Sequence, residues 1–153
     1  MADIKKMLKN MTVREKISQL SQYNSNLFID TDEAVTGDMQ RIGINDEDLN
    51  YVGHVLNFKS SVEMREIQEE HLKKYRNKIP MFFMMDVIHG SHTICPIPLA
   101  LGCSFNPDLV VECSGMAAKE AVASGVQVTF TPIVNYVRDA RWGRVMESCG
   151  EDA

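Results

Sequence analysis

Residues 80–90 read PMFFMMDVIHG, and this stretch decides the fold. The five apolar residues from Met81 to Met85 run without alternation, a pattern typical of a strand buried on both faces in a parallel sheet. Two further runs rich in β-formers, YVGHVLNF at 51–58 and VQVTFTPIV at 126–134, lie on either side of it. Helical patterns separate the three runs. The order βαβαβ predicts parallel strands with right-handed crossovers, and therefore an α/β fold.

The helices are marked by their first residues. Thr12 with Glu15, and Ser60 with Glu63, have the spacing of capping boxes, so we expect helices to begin after Thr12 and Ser60. The second helix carries apolar and aromatic residues on one face: Met64, Ile67, His71, Leu72 and Tyr75.

A third helix is predicted between the second and third strands. Asn106 and Pro107 supply an N-cap and a first-turn proline, and the helix stops at Gly125. The polar, glycine-containing stretch from Phe28 to Asp48 is predicted to be loop. No repeat or linker separates two domains, so residues 1–153 are interpreted as one unit.

Composition restricts the classes of function. Of the 153 residues, 44% are hydrophobic and 24% charged, a balance that favours a globular chain with a core. The formal charge of -5 makes nucleic acid an unexpected partner. Because the sequence has neither a long apolar run nor a secretory signal, we expect no membrane contact and a cytoplasmic location. The four cysteines form no CxxC pair and are expected to be reduced thiols.

Asp86 is the first candidate for chemistry, because functional groups of parallel α/β folds collect at the carboxyl ends of strands. A carboxylate on so apolar a strand is costly unless a partner or a basic neighbour compensates it. Asp86 therefore either accepts hydrogen bonds from amides of its own loop and shapes the turn, or accepts them from two adjacent hydroxyls of a polyol.

The third strand leads into a charge-dense segment, NYVRDARWGRVMESCGED at 135–152. Such segments are usually solvated loops. Here Trp142, the only tryptophan, lies between Arg141 and Arg144. A flat apolar ring beside fork-shaped donors suits a sugar, which has apolar faces and a rim of hydroxyls.

Several strings together resemble the N-terminal domain of glycoside hydrolase family 3, the β-glucosidase and β-xylosidase type. The similarity covers nearly the whole chain and is loosest from Phe28 to Asp48. RDxRWGR and GED, with DVIHG about fifty residues upstream, are a specific combination. The other strings are MTVREKISQL, VLNF, TICPIPLALGCSFNPDLV and AAKEAVASGVQVTFTPIV.

The resemblance implies a partial TIM-like (β/α)8 barrel, of which the chain would hold about the first three strand-helix units. It implies that Asp86 receives hydroxyls of the glycosyl unit and that Arg144 donates to the sugar or to neighbouring carboxylates. His89, Arg141 and Trp142 match motif positions with supporting roles, although His89 could equally be structural. The implied activity is retaining, β-glucosidase-like release of terminal β-D-glucosyl residues from a β-glycoside or small oligosaccharide, without a cofactor.

The resemblance also places the nucleophile, the acid/base and a sugar-binding Lys-His pair beyond Ala153. A closed barrel needs roughly 200 to 250 residues. We therefore expect an incomplete barrel domain that does not hydrolyse glycosides alone and that self-associates through open strand edges. Asn135, where many relatives have Asp, leaves a β-xylosidase open, and a non-catalytic α/β carbohydrate-binding protein is a further alternative.

His89, His92 and Cys95 are spaced by three, as metal ligands on one face of a helix would be. Gly90 and the following prolines argue against a helix there, and a fourth ligand is not evident. We expect no metal.

Overall fold

A computed structural model describes residues 3–29, 43–44 and 46–151. The chain divides into two compact units, Met1–Met84 and Met85–Ala153, which are described separately below. The division falls within a strand and not in a linker, which explains why composition does not mark it. Most of the loop predicted from Phe28 to Asp48, namely residues 30–42 and 45, lies outside the described residues.

The first unit alternates short strands with helices. Its helices are α1 (Ile4–Asn10), α2 (Val13–Ser18), α3 (Asp46–Leu49) and α4 (Ser61–Lys74), and its strands are β1 (Gln22–Asn24), β2 (His54–Leu56) and β3 (Phe82–Met85). β2 pairs in parallel with both β1 and β3. The core is built from the strands and from one face of α4, with Val55, Ile67, Tyr75 and Phe83 buried. The parallel strands and intervening helices confirm the α/β prediction.

Both predicted helix starts in this unit are observed. The Thr12 hydroxyl accepts from the Glu15 amide at 3.2 Å, and the Glu15 carboxylate accepts from the Thr12 amide at 2.7 Å, so the first capping box is complete. At the second start the Ser60 hydroxyl accepts from the Glu63 amide, but the Glu63 carboxylate accepts from the Lys59 amide. The second box is therefore formed on one side only.

A buried carboxylate ties α2 to the chain that follows α4. Glu15 is 3% exposed, and its two oxygens accept from Nε and Nη2 of Arg76, each at 2.6 Å. Arg76 Nη2 also donates to the carbonyl oxygen of Asn10. The Arg76 guanidinium, with the amide and hydroxyl of Thr12, outweighs burial and lowers the pKa of Glu15 from 4.5 to about 2. Glu15 is therefore ionised at neutral pH.

The second unit begins with the loop 86–97, followed by α5 (Pro98–Gly102), α6 (Pro107–Ala123), β4 (Val128–Thr129) and a 3₁₀ turn (Val145–Glu147). α6 begins as predicted, because the Asn106 side chain accepts from the amides of Asp108 and Leu109. It ends before Gly125, whose φ of +95° only glycine adopts readily.

Gly102 is the point where α5 meets the segment that leads out of the 3₁₀ turn. A β-carbon there would lie 2.0 Å from the carbonyl oxygen of Cys149, so the two backbones are in direct contact. None of the helices in the described ranges is long and apolar enough to cross a membrane.

Three details of the sequence prediction were wrong. β3 is not buried on both faces: Phe82 is 53% exposed and stacks on His54, with ring centroids 5.9 Å apart. Of the third predicted strand, 126–134, only Val128–Thr129 forms a strand. Pro132 lacks an amide donor and cannot extend the pairing. Four short elements, α1, α3, α5 and β1, were not predicted, because three to seven residues are too few to show a periodicity. α3 also overlaps the end of the stretch from Phe28 to Asp48, which was predicted to be loop.

Candidate functional site

Asp86 is the first residue after β3 and its side chain is exposed. Within the part of the chain that is described, its carboxylate has neither a hydrogen bond nor an ion pair. Asp86 is exposed and not buried as its apolar strand suggested, because the strand ends before the carboxylate. Compensation by a bound partner stays a prediction. The structure also gives no loop amide that donates to Asp86, so it does not favour a turn-shaping role. The carboxylate is free to accept hydroxyls.

His89 lies in the loop 86–97, and its side chain is also exposed. The loop is closed by the Cys95 amide, which donates to the His89 carbonyl oxygen at 2.8 Å. Gly90 has a φ of +114°, and a β-carbon there would lie 2.1 Å from the Thr93 carbonyl oxygen, so the turn requires glycine. His89 and Thr131 line a cavity of about 60 Å³ in this unit. That volume holds a water or two and not a sugar ring.

The charge-dense segment is organised by two ion pairs. Asp139 accepts from Arg141 at two atoms, with Nε–Oδ1 at 2.9 Å and Nη2–Oδ2 at 2.6 Å, and these donors lower the pKa of Asp139. The Arg141 side chain is 90% exposed. Trp142 is 37% exposed, and its amide donates to the Asp139 carbonyl oxygen. The indole therefore presents part of its surface to solvent.

Arg144 forms the second pair. Its Nε donates to the Glu147 carboxylate at 2.6 Å, and its Nη2 contacts the same oxygen. The Arg144 side chain is 51% exposed, so its remaining donors are open to solvent. The residues stand three apart where the 3₁₀ turn begins, a spacing that brings side chains together. Sequence reasoning did not assign Glu147 as this partner, although the spacing and opposite charges were visible.

All five predicted site residues, Asp86, His89, Arg141, Trp142 and Arg144, belong to the second unit. In the described structure, no hydrogen bond or ion pair joins Asp86 to Arg144. A sugar subsite shared by these two side chains therefore stays a prediction. Among the described residues no group of three or more His, Cys, Asp or Glu could hold a metal ion, and the His92 ring is bonded to Ser124 Oγ instead.

Comparison with known proteins identifies the family. Residues 12–153 match the glycosyl hydrolase family 3 N terminal domain. The chain belongs to glycosyl hydrolase family 3. Within this family, it is 38% identical over 146 residues to a periplasmic beta-glucosidase of Salmonella typhimurium, covering 95% of this chain and 18% of that protein.

Solved family 3 structures share the fold. A beta-glucosidase from Listeria innocua in complex with glucose superposes with a TM-score of 0.89 at 44% identity, covering 97% of this chain and 21% of that one. A mutant of that beta-glucosidase in complex with laminaribiose gives a TM-score of 0.88 at 45% identity. The chain thus spans about a fifth of the length of these relatives. The family resemblance and the partial-barrel interpretation are confirmed.

Proposed function

We propose that this chain supplies part of the sugar-binding subsite of a β-glucosidase, which releases terminal β-D-glucosyl residues by a retaining mechanism. The observation that carries the proposal is the exposed, unpaired carboxylate of Asp86 at the carboxyl end of a parallel strand in a family 3 domain. In α/β folds, this end of the strands is where ligands bind.

The proposed roles follow from the donors and acceptors present. The two oxygens of Asp86 accept hydrogen bonds from adjacent sugar hydroxyls, each such bond to a charged group being worth about 1.5 to 3 kcal/mol. Arg144 donates to the sugar from the nitrogens that Glu147 leaves open. Trp142 offers part of an apolar ring face, and Arg141 and His89 have supporting roles.

The proposal assigns no catalytic carboxylate within the described chain. A retaining glycosidase needs two carboxyl groups about 5 to 5.5 Å apart, one as nucleophile and one as acid/base. Glu147 forms an ion pair with Arg144, and Asp86 is proposed to accept hydrogen bonds from sugar hydroxyls. As in the family resemblance, both catalytic groups are proposed to lie beyond Ala153.

The test uses the protein at its natural length. Glucose binding is measured by calorimetry, and hydrolysis is measured with an aryl β-D-glucoside. Asp86→Ala should lower glucose affinity and kcat/KM by at least about 150-fold, because two charge-assisted hydrogen bonds, together worth at least about 3 kcal/mol, are lost. Glu112→Gln is the matched control, since it neutralises an exposed carboxylate on α6 of the same unit.

An unchanged kcat/KM in Asp86→Ala would contradict the assignment. Comparing aryl β-D-xyloside with β-D-glucoside decides between the xylosidase and glucosidase alternatives, both of which occur among the named relatives. Glucose binding without turnover would favour the non-catalytic carbohydrate-binding alternative.

The predicted cytoplasmic location gains no support from the comparisons, because the Salmonella relative is named periplasmic. It stays a prediction, as do the self-association through strand edges and the absence of nucleic-acid and membrane partners. Fractionation of the native cells would test the location directly.

A further inference from the structure

A carboxylate near the end of α6 is bound to the tip of the loop that begins at Asp86. Glu120 accepts from the amides of His92 and Thr93 at 2.9 and 2.8 Å, and from the Thr93 hydroxyl at 2.6 Å. Three donors from two successive residues thus converge on one carboxylate. Because hydrogen bonds to an ionised acceptor are the stronger kind, this contact fixes the loop tip more firmly than a neutral one would.

A second contact joins the same two elements. The His92 Nε2 lies 2.8 Å from Ser124 Oγ, and the Ser124 hydroxyl donates its own proton to the Glu120 carbonyl oxygen at 2.9 Å. Since that proton is used, Ser124 Oγ accepts from the ring, and we assign the imidazole proton to Nε2. Four hydrogen bonds therefore connect residues 92–93 to the last turns of α6.

Glu120 stands where helix electrostatics disfavours it. It is the fourth residue from the end of α6, where the carbonyl ends of the helix favour a cation, and the last turn of α6 contains no basic residue. The donors from the loop supply the compensating interactions and lower the pKa of Glu120. A residue that breaks a local preference often marks a functional requirement.

Once its tip is fixed, the rest of the loop 86–97 has little conformational freedom. Val87 and Cys95 are buried at its two ends, and the Cys95 amide closes the turn on the His89 carbonyl oxygen. Gly90 makes close contact with the Thr93 backbone. Holding Thr93 therefore also holds the residues between it and Asp86.

We propose that Glu120 is a positioning residue that fixes the loop 86–97, and with it the Asp86 carboxylate, for sugar binding. Glu120 contacts the loop and not the sugar. The proposal rests on the proposed function and deepens it, because it names the residue that pre-organises the subsite. Pre-organisation raises affinity by reducing the ordering required on binding.

The experiment combines hydrogen exchange of the loop amides with glucose calorimetry in the protein at its natural length. Glu120→Gln removes the charge, and Thr93→Val removes one donor at nearly constant shape. Both should raise the exchange rates of the His92 and Thr93 amides by about tenfold and weaken glucose binding by about fivefold. Thr93→Ser retains the hydroxyl and should restore both values, and Glu112→Gln on the same helix should change neither.

Each outcome decides the proposal. Faster exchange with unchanged glucose affinity overturns the positioning role and leaves the proposed function standing. If amide exchange is unchanged in Thr93→Val and Glu120→Gln, the positioning role is also overturned, because the contact then does not restrain the loop. If Thr93→Ser behaves like Thr93→Val, the hydroxyl contact is refuted. A wild-type protein that binds no glucose refutes the proposed function first, and the positioning role with it.

Discussion

One arginine-carboxylate pair of the first unit differs in burial from two pairs of the second unit. In the first unit the carboxylate of Glu15 is almost fully buried and accepts donors from Arg76, Thr12 and Asn77. In the second unit the pairs of Arg141 with Asp139 and of Arg144 with Glu147 face solvent. A buried carboxylate that loses its donors is left uncompensated, whereas an exposed one exchanges them for water. The first arrangement therefore stabilises the fold, and the second can give up its donors to a ligand.

The largest effect on stability is expected from Glu15→Ala. It removes both oxygens that accept from Arg76 and one arm of the capping box, and we expect a loss of about 2 to 4 kcal/mol in the free energy of unfolding. Urea denaturation followed by circular dichroism measures it. Glu66→Ala removes an exposed carboxylate from α4 and is the matched control. Equal losses of stability in the two variants would show that the buried Glu15 stabilises the fold no more than an exposed carboxylate does.

A smaller loss of stability is expected when the pH is lowered. The pKa of Glu15 is lowered from 4.5 to about 2 in the folded protein, so its contribution to stability is present above pH 4.5 and is lost as the pH falls from 4.5 to 2. Glu15→Gln cannot titrate. The difference in urea midpoint between wild type and Glu15→Gln should therefore shrink across this window, and a constant difference would show that Glu15 carries no such linkage.

The smallest effect on stability is expected from the exposed pairs. Asp139→Asn and Arg144→Ala should leave the urea midpoint unchanged within error, because solvent replaces the lost partner. Arg144→Ala should nevertheless lower glucose affinity, by about tenfold, because a charged donor to the sugar is lost. Glu112→Gln, which neutralises an exposed carboxylate on α6, provides the control for affinity. A clear drop in the midpoint of either variant would mean that these pairs are structural too.

The sequence correctly predicted those features that depend on a few neighbouring residues. The capping residues Thr12, Ser60 and Asn106 all start helices, because a cap depends on the three residues that follow it. Burial was less predictable. Phe82 was expected inside and lies outside, since which neighbours cover a strand depends on distant parts of the chain.

The same limit applies to the candidate site. Asp86 and the arginines could be selected from their residue types and from the family motifs. Glu120 was missed, because its donors lie 27 and 28 residues earlier in the chain and only the fold brings them to it. A visible signal existed, namely an acidic residue in a position where helices favour a base.

The close contact between Gly102 and Cys149 limits how this part of the backbone can respond to a bound ligand. Because these backbones touch, Cys149 cannot move closer to α5, which restricts the motion of the chain that follows Arg144. Adaptation to an incoming ring is left to rotation about the side-chain bonds of Arg141, Trp142 and Arg144. The entropy lost on binding is then that of a few rotamers and not that of a whole backbone segment.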